Sequence, residues 1–269
     1  MNWSQKMDRT YWRRQTPDRP LFPDLLWSRP ETKRQAGKLL IVGGNLHGFA
    51  APATAYNEAV KAGIGTARVL LPDSLQRTVG RVLEAGEYAP STPSGSFARA
   101  ALAELLAMTG WADGVLLAGD FGRNSETAIL LEQCINKYNS QLTLAKDAVD
   151  YFAKTPDGLL DRAETTLVLS FSQLQQLAAS AGFTTPFTFD MDFLRLIDAL
   201  HEFTTKHSIA IITRHLQTMF VAAGGQVSST KLDQDIDIWR VETAAHAAVW
   251  WLQNPDKPFE ALTLSVIQD

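Results

Sequence analysis

Residues 37–72 restrict the folds open to this chain more than any other stretch. Lys38–Val42 is an apolar run of strand length, and Gly43, Gly44 and Gly48 follow it closely. A helical stretch from about Pro52 to Ala62 comes next, then a second strand-like run over Thr66–Leu71. Strand, glycine-rich turn, helix and strand make one βαβ unit. The glycines stand at the carboxyl end of its first strand, where open parallel sheets bind ligands. Without a Cβ, such a turn lets backbone N–H groups come close to an anion.

The remaining chain keeps the alternation. Ser74–Glu84 reads as a short helix, 87–95 as a Pro/Ser/Gly loop, and Phe97–Met108 as an amphipathic helix. Strands are expected at 114–118, 141–145, 166–169 and 208–213, and helices at 125–138, 172–181, 193–206, 241–253 and 258–266. Ser170 or Ser172 suits the N-cap of the helix at 172–181. Residues 218–222 and 226–228 flank Gly224-Gly225 as a hairpin. Strands that alternate with helices predict an α/β fold, with a mostly parallel central sheet and helices on both faces. The expected organisation is one such domain over residues 37–269, preceded by an arm over 1–36. That arm carries prolines at 17, 20, 23 and 30, and would pack Trp12, Phe22, Leu25, Leu26 and Trp27 on the body or on another subunit.

Composition narrows the function classes. At 269 residues and 45% hydrophobic content the chain can bury a large core. A formal net charge of −4 gives no basic excess for nucleic acid or an anionic membrane. Cys134 is the single cysteine, so no intramolecular disulfide and no cysteine-based zinc site can form. The opening residues lack the apolar core of a secretory signal, and no run approaches the roughly 18 apolar residues of a membrane span. The expectation is a cytoplasmic protein.

Three strand ends gather small or acidic groups: Gly43-Gly44-Asn45, Gly119-Asp120-Phe121-Gly122 and Lys146-Asp147. In a parallel sheet they share one rim and together could line a cleft. Asp147 suits a sugar hydroxyl or a hydrated magnesium ion, with capping of the following turn as its alternative. Of the five histidines, His47 is best placed for a site because it lies within the glycine-rich turn. His201 and His207 read as surface residues and His246 as a core or rim residue. Cys134, among Leu130, Leu131 and Ile135, reads as buried and inert. Trp239, Trp250 and Trp251 read as core, with an oligomer contact shared with the arm as the alternative.

The order of these blocks resembles a known family. Residues 37–51 (Gly-Lys-Leu-Leu-Ile-Val-Gly-Gly-Asn-Leu-His-Gly-Phe-Ala-Ala), followed by Ala59 to Val69, are similar to the opening of the ADP/ATP-dependent NAD(P)H-hydrate dehydratases, which have the ribokinase-like (carbohydrate kinase) fold. Ala118-Gly119-Asp120-Phe121-Gly122-Arg123 resembles that family's glycine-proline-glycine-leucine-glycine loop. Leu144 to Val149 resembles its aspartate-alanine-aspartate-alanine-leucine strand end. Ile212-Thr213-Arg214 through Thr218, with Gly224-Gly225, resembles its lysine-glycine strand and hairpin. The likeness spans about residues 29–266. It implies ATP or ADP as a cofactor, possible use of Mg2+, NAD(P)H-hydrate as substrate, a role in metabolite repair and a homo-oligomer. The implied nucleotide-contacting positions are Gly43, Gly44, Asn45, His47, Gly48, Gly119, Asp120, Gly122, Lys146, Asp147 and Arg214.

The departures from the family pattern are chemical. Its glycine-serine-glycine-aspartate anion hole gives way here to Trp239-Arg240-Val241-Glu242, which leaves Glu242 in roughly the place of the implied catalytic base. Asp233, Asp235 and Asp237 are alternative carboxylates. The family's threonine-proline-histidine-x-glycine-glutamate segment reads Val168 to Gln173 and loses its histidine and glutamate. Two functions from different classes are therefore open. One is a working dehydratase with Glu242 as base and Lys146 or Arg214 replacing the lost anion contacts. The other is a pseudoenzyme that keeps a nucleotide cleft and acts as a binding, regulatory or scaffold protein. A sugar or vitamin kinase of the same fold is a third, less favoured reading, because it needs the same anion hole.

Overall fold

The computed structural model describes residues 9–81, 83–232 and 239–267. Its strands are β1 (Trp12–Gln15), β2 (Lys38–Gly43), β3 (Thr66–Pro72), β4 (Gly86–Ala89), β5 (Gly114–Gly119), β6 (Gln141–Ala145), β7 (Thr165–Leu169), β8 (Ala210–His215), β9 (Thr218–Ala223) and β10 (Gln226–Lys231). The α-helices are α1 (Pro23–Trp27), α2 (Ala50–Lys61), α3 (Gln76–Val79), α4 (Leu102–Trp111), α5 (Ser125–Lys137), α6 (Asp147–Asp150), α7 (Asp157–Leu160), α8 (Phe171–Ser180), α9 (Phe193–Lys206), α10 (Arg240–Gln253) and α11 (Pro258–Ser265). One ten-stranded sheet runs in the order β1-β10-β9-β8-β7-β6-β5-β2-β3-β4. Only β9 opposes the common strand direction.

Strand alternation divides the core between two faces. Leu40 and Val42 of β2 pack with α4, α5, α8 and α9. Leu39 and Ile41 pack with α2 and α10 on the other side. Helix α10 lies over β5, β6 and β7 and against α2. Ala244, Ala245, Ala247 and Ala248 are fully buried along it, and their small side chains allow that close seat.

The order of strands locates a site. From β2 the chain moves outward to β3, whereas from β5 it moves the opposite way to β6. Neighbours β2 and β5 therefore form a topological switch point, and a crevice opens beyond their carboxyl ends.

Several elements differ from the sequence expectation. Residues 86–89 form the edge strand β4 within the expected loop, a four-residue strand too short to show a period. The helix expected at 74–84 is a 3-10 turn at 73–75 followed by α3, closed at Gly80. Phe97 is fully buried in a bridge to Ser91, and the α-helix starts only at Leu102. Within the arm, β1 pairs with β10 and Leu25 is buried, but Trp27 is 87% exposed. Both His207 nitrogens are buried without a partner, and His201 stacks on Tyr11 at 3.7 Å, so neither is a plain surface histidine. Burial pushes the Cys134 thiol up to about 11, which keeps it protonated and unreactive.

Candidate functional site

The crevice is built on a close approach of two strands. Gly43 and Gly119 pair across a register shift, and a Cβ on Gly43 would stand 2.4 Å from the Gly119 carbonyl oxygen. Gly119 has φ 110°, and its missing Cβ leaves room for the Asp147 carboxylate. The next residue, Asp120, is also in the left-handed region at φ 61°, as is Lys146 at φ 53°. Two non-glycine residues held in that region at neighbouring strand ends indicate strain fixed by surrounding bonds.

Those bonds are specific. Asp120 Oδ2 accepts from the Ala51 amide at the start of α2 (2.7 Å), and its Oδ1 pairs with Lys146 Nζ at 2.6 Å. The Asp120 carbonyl accepts from Asn45 Nδ2 (2.6 Å), while Gly44 N donates to the Gly119 carbonyl. The glycine-rich turn therefore receives an anion from its own chain. Asp120 supplies the negative charge at the start of α2.

Asp147 stands beside this network, with its carboxylate tucked against Gly119. Its Oδ2 accepts from Gly122 N at 3.1 Å, and its buried Oδ1 has no hydrogen-bond partner. Burial raises its pKa above the ordinary carboxylate value, and the nearby Asp120 adds to the effect. Asp147 does not cap α6, because Lys146 holds the N-cap position and makes no side-chain cap bond.

A polar cleft of about 1000 Å³ opens over these groups, lined by Gly122, Arg123, Asp147, Asp150, Lys154 and Arg240 among others. Tyr151 shapes its floor, with the hydroxyl donating to the Gly122 carbonyl at 2.5 Å. Gly43, Gly44, Asn45, Gly48, Gly119, Asp120, Gly122, Lys146 and Asp147 thus come together, and of these Gly122 and Asp147 line the open cleft. His47 sits on the exposed turn, where its amide bonds Asn45 Oδ1. Arg214 lies at the end of β8, with Nε donating to the Leu216 carbonyl. Glu242 lines a separate concavity with Glu58, Lys61 and His246. Two residues along a helix turn the side chain by about 200°, so Arg240 and Glu242 necessarily face different ways. Asp233, Asp235 and Asp237 lie outside the described residues.

Arg240, Gln173 and Tyr151 are site residues that sequence reading missed. Arg240 entered that reading only as one of the residues that replace the family's anion hole. Among the described residues, no group of three or more His, Cys, Asp or Glu side chains could hold a metal, and no helix is long and apolar enough to cross a membrane.

No protein-family model matches the chain, and no curated protein matches it. Solved structures do. A ribokinase-like superfamily protein from Enterococcus faecalis superposes with a TM-score of 0.70 at 12% identity, over 98% of this chain and 88% of that one. The ADP/ATP-dependent NAD(P)H-hydrate dehydratase from Bacillus subtilis, co-crystallised with ATP/Mg2+, gives 0.66 at 11% identity over 92% and 86%. The pyridoxal kinase from Staphylococcus aureus, in complex with AMP-PCP and pyridoxal, gives 0.56 at 11% identity over 84% and 83%. The chain has the ribokinase-like fold, and its structural neighbours include both dehydratases and vitamin kinases.

Proposed function

We propose that the cleft beside Asp147 binds the phosphate chain of ATP or ADP, and that the protein acts in the manner of an NAD(P)H-hydrate dehydratase. The observation that carries this reading is the cleft itself. It lies beyond the carboxyl ends of β5, β6 and β7, where the buried Asp147 carboxylate meets three cationic side chains, Arg123, Lys154 and Arg240. Magnesium fits as a companion of the nucleotide. It prefers one or two carboxylates plus phosphates and water, and Asp147 and Asp150 are the carboxylates that line the cleft. When bound, the ion neutralises phosphate charge.

In the dehydratase reading the substrate hydroxyl needs a base. Asp147, on the cleft wall, is the candidate for that role in the magnesium-free state, since one carboxylate does not hold the ion and accept the proton together. Glu242, the base that the family resemblance implies, lines the other concavity. A second reading, nucleotide binding without turnover, is favoured by one observation. Helix α10 begins at Trp239-Arg240 with no side-chain cap, where the family pattern has glycines.

Calorimetric titration with ATP and ADP, with and without magnesium, tests the binding. Micromolar affinity is expected, and Asp147→Asn should lose the magnesium-dependent part of it. Absence of nucleotide binding in the wild type overturns the proposal. An NAD(P)H-hydrate assay then separates the two readings. Turnover abolished by Asp147→Asn supports the dehydratase, and binding without turnover supports the pseudoenzyme.

A further inference from the structure

The first turn of α10 holds an arrangement built around one buried amide. Gln173 is 7% exposed and its side chain joins four segments. Nε2 donates to the carbonyl of the left-handed Lys146 (2.8 Å) and to Asp150 Oδ1 (2.7 Å). Oε1 accepts from Ser170 N (3.1 Å), Ser170 Oγ (3.2 Å) and Arg240 Nη1 (3.0 Å). Both amide donors are used and the oxygen is saturated, so the group has no freedom to rotate.

Arg240 supplies the cationic side chain of this set. A guanidinium has five N–H donors in a planar fork, and the Gln173 bond takes one. The remaining donors border the cleft, where Arg123 and Lys154 add positive charge and Asp147 and Asp150 supply the negative. Lys146 is not available for an incoming anion, because Asp120 holds its ammonium at 2.6 Å.

We infer that Arg240, oriented by Gln173, is the anion anchor of this cleft and takes the terminal phosphate oxygens of a polyphosphate chain in place of backbone amides. The inference rests on the nucleotide reading above and adds where the charge is held. A guanidinium binds phosphate through two parallel charge-assisted hydrogen bonds, which also fix the phosphate's orientation. Gln173 is a positioning residue. By tethering both Arg240 and the Lys146 carbonyl, it sets the distance between the anchor and Asp147.

The test titrates the full chain with tripolyphosphate, ATP and adenosine separately. Arg240→Ala should weaken tripolyphosphate and ATP by about 10- to 100-fold and leave adenosine unchanged. Arg240→Lys, which keeps charge without the fork, should fall between. Gln173→Met should weaken tripolyphosphate by a smaller factor, again with adenosine unchanged, a split that a general loss of structure does not produce. Thermal melts identify any variant that fails to fold, and Arg240→Lys then carries the comparison. Wild-type affinity for tripolyphosphate in both Arg240 variants overturns the anchor, as does a wild type that does not bind tripolyphosphate. If tripolyphosphate binds through Arg240 while ATP does not bind, the nucleotide reading fails and the anchor stands.

Discussion

Arg240 and Glu242 stand two residues apart on α10 and serve regions with opposite chemistry. Arg240 lines a wide polar cleft together with the acidic residues Asp147 and Asp150. Glu242 borders a concavity where charges are largely paired within the protein. There Glu58 bonds Lys61 at 2.6 Å and His246 at 3.2 Å, and Arg29 lies 4.2 Å from the Trp250 ring centre while holding the Ala62 carbonyl. The lesson is that two residues of one helix turn can border two different concavities. Glu242, the base that the family resemblance implies, lies beside Glu58 and His246, and Arg240 lies beside Asp147 and Asp150.

Three experiments press on this contrast. The largest effect should come from the strand crossing beneath the cleft. Gly43→Val would put a Cβ 2.4 Å from the Gly119 carbonyl oxygen, and no flexible side chain is there to yield. We expect a loss of ~3 kcal/mol or more in urea denaturation. A near-native midpoint would mean that β2 and β5 can part, and that the cleft floor is looser than described.

An intermediate effect belongs to the paired side. Burial lowers the His246 pKa below its ordinary 6.5, and this outweighs the hydrogen bond to Glu58. The unfolded chain therefore takes up the proton first. Stability is intact above about pH 6.5 and is lost as pH falls below it. Burial also lowers His207 and His215, so they act in the same direction. The urea midpoint should drop between about pH 7.5 and pH 5.5, less steeply in His246→Gln. An equal slope in that variant would remove His246 from the account.

The smallest effect sharpens the comparison most. Glu242→Gln should leave ATP affinity within about twofold of wild type. A large loss would mean that the two concavities communicate, and would return Glu242 to the site.

The fold was readable because its signals are local and repeated. Buried parallel strands appear as apolar runs, such as Lys38 to Gly43 and Gly114 to Gly119, and amphipathic helices such as α9 announce their period. The rim was readable too, since parallel strands put their ends together. What the sequence did not show is pairing. Nothing local in Gly119-Asp120 says that Asp120 will bind the start of α2 and neutralise Lys146. Nothing near Ser170 says that Gln173 will fasten Arg240, 67 positions away. Short elements such as β4 and α7 span too few residues to reveal a period.

The edge strand β1 has a consequence for how the molecule is made. Its partner β10 lies more than two hundred positions further along, and Gln15 joins Thr230 at 3.0 Å and the Thr263 carbonyl at 2.6 Å. Contacts of such separation form slowly, because a long loop must close before they are rewarded. Of the strands described, β1 is synthesised first and its partner β10 last. On the ribosome β1 therefore waits without a ladder until the final strand of the sheet has emerged.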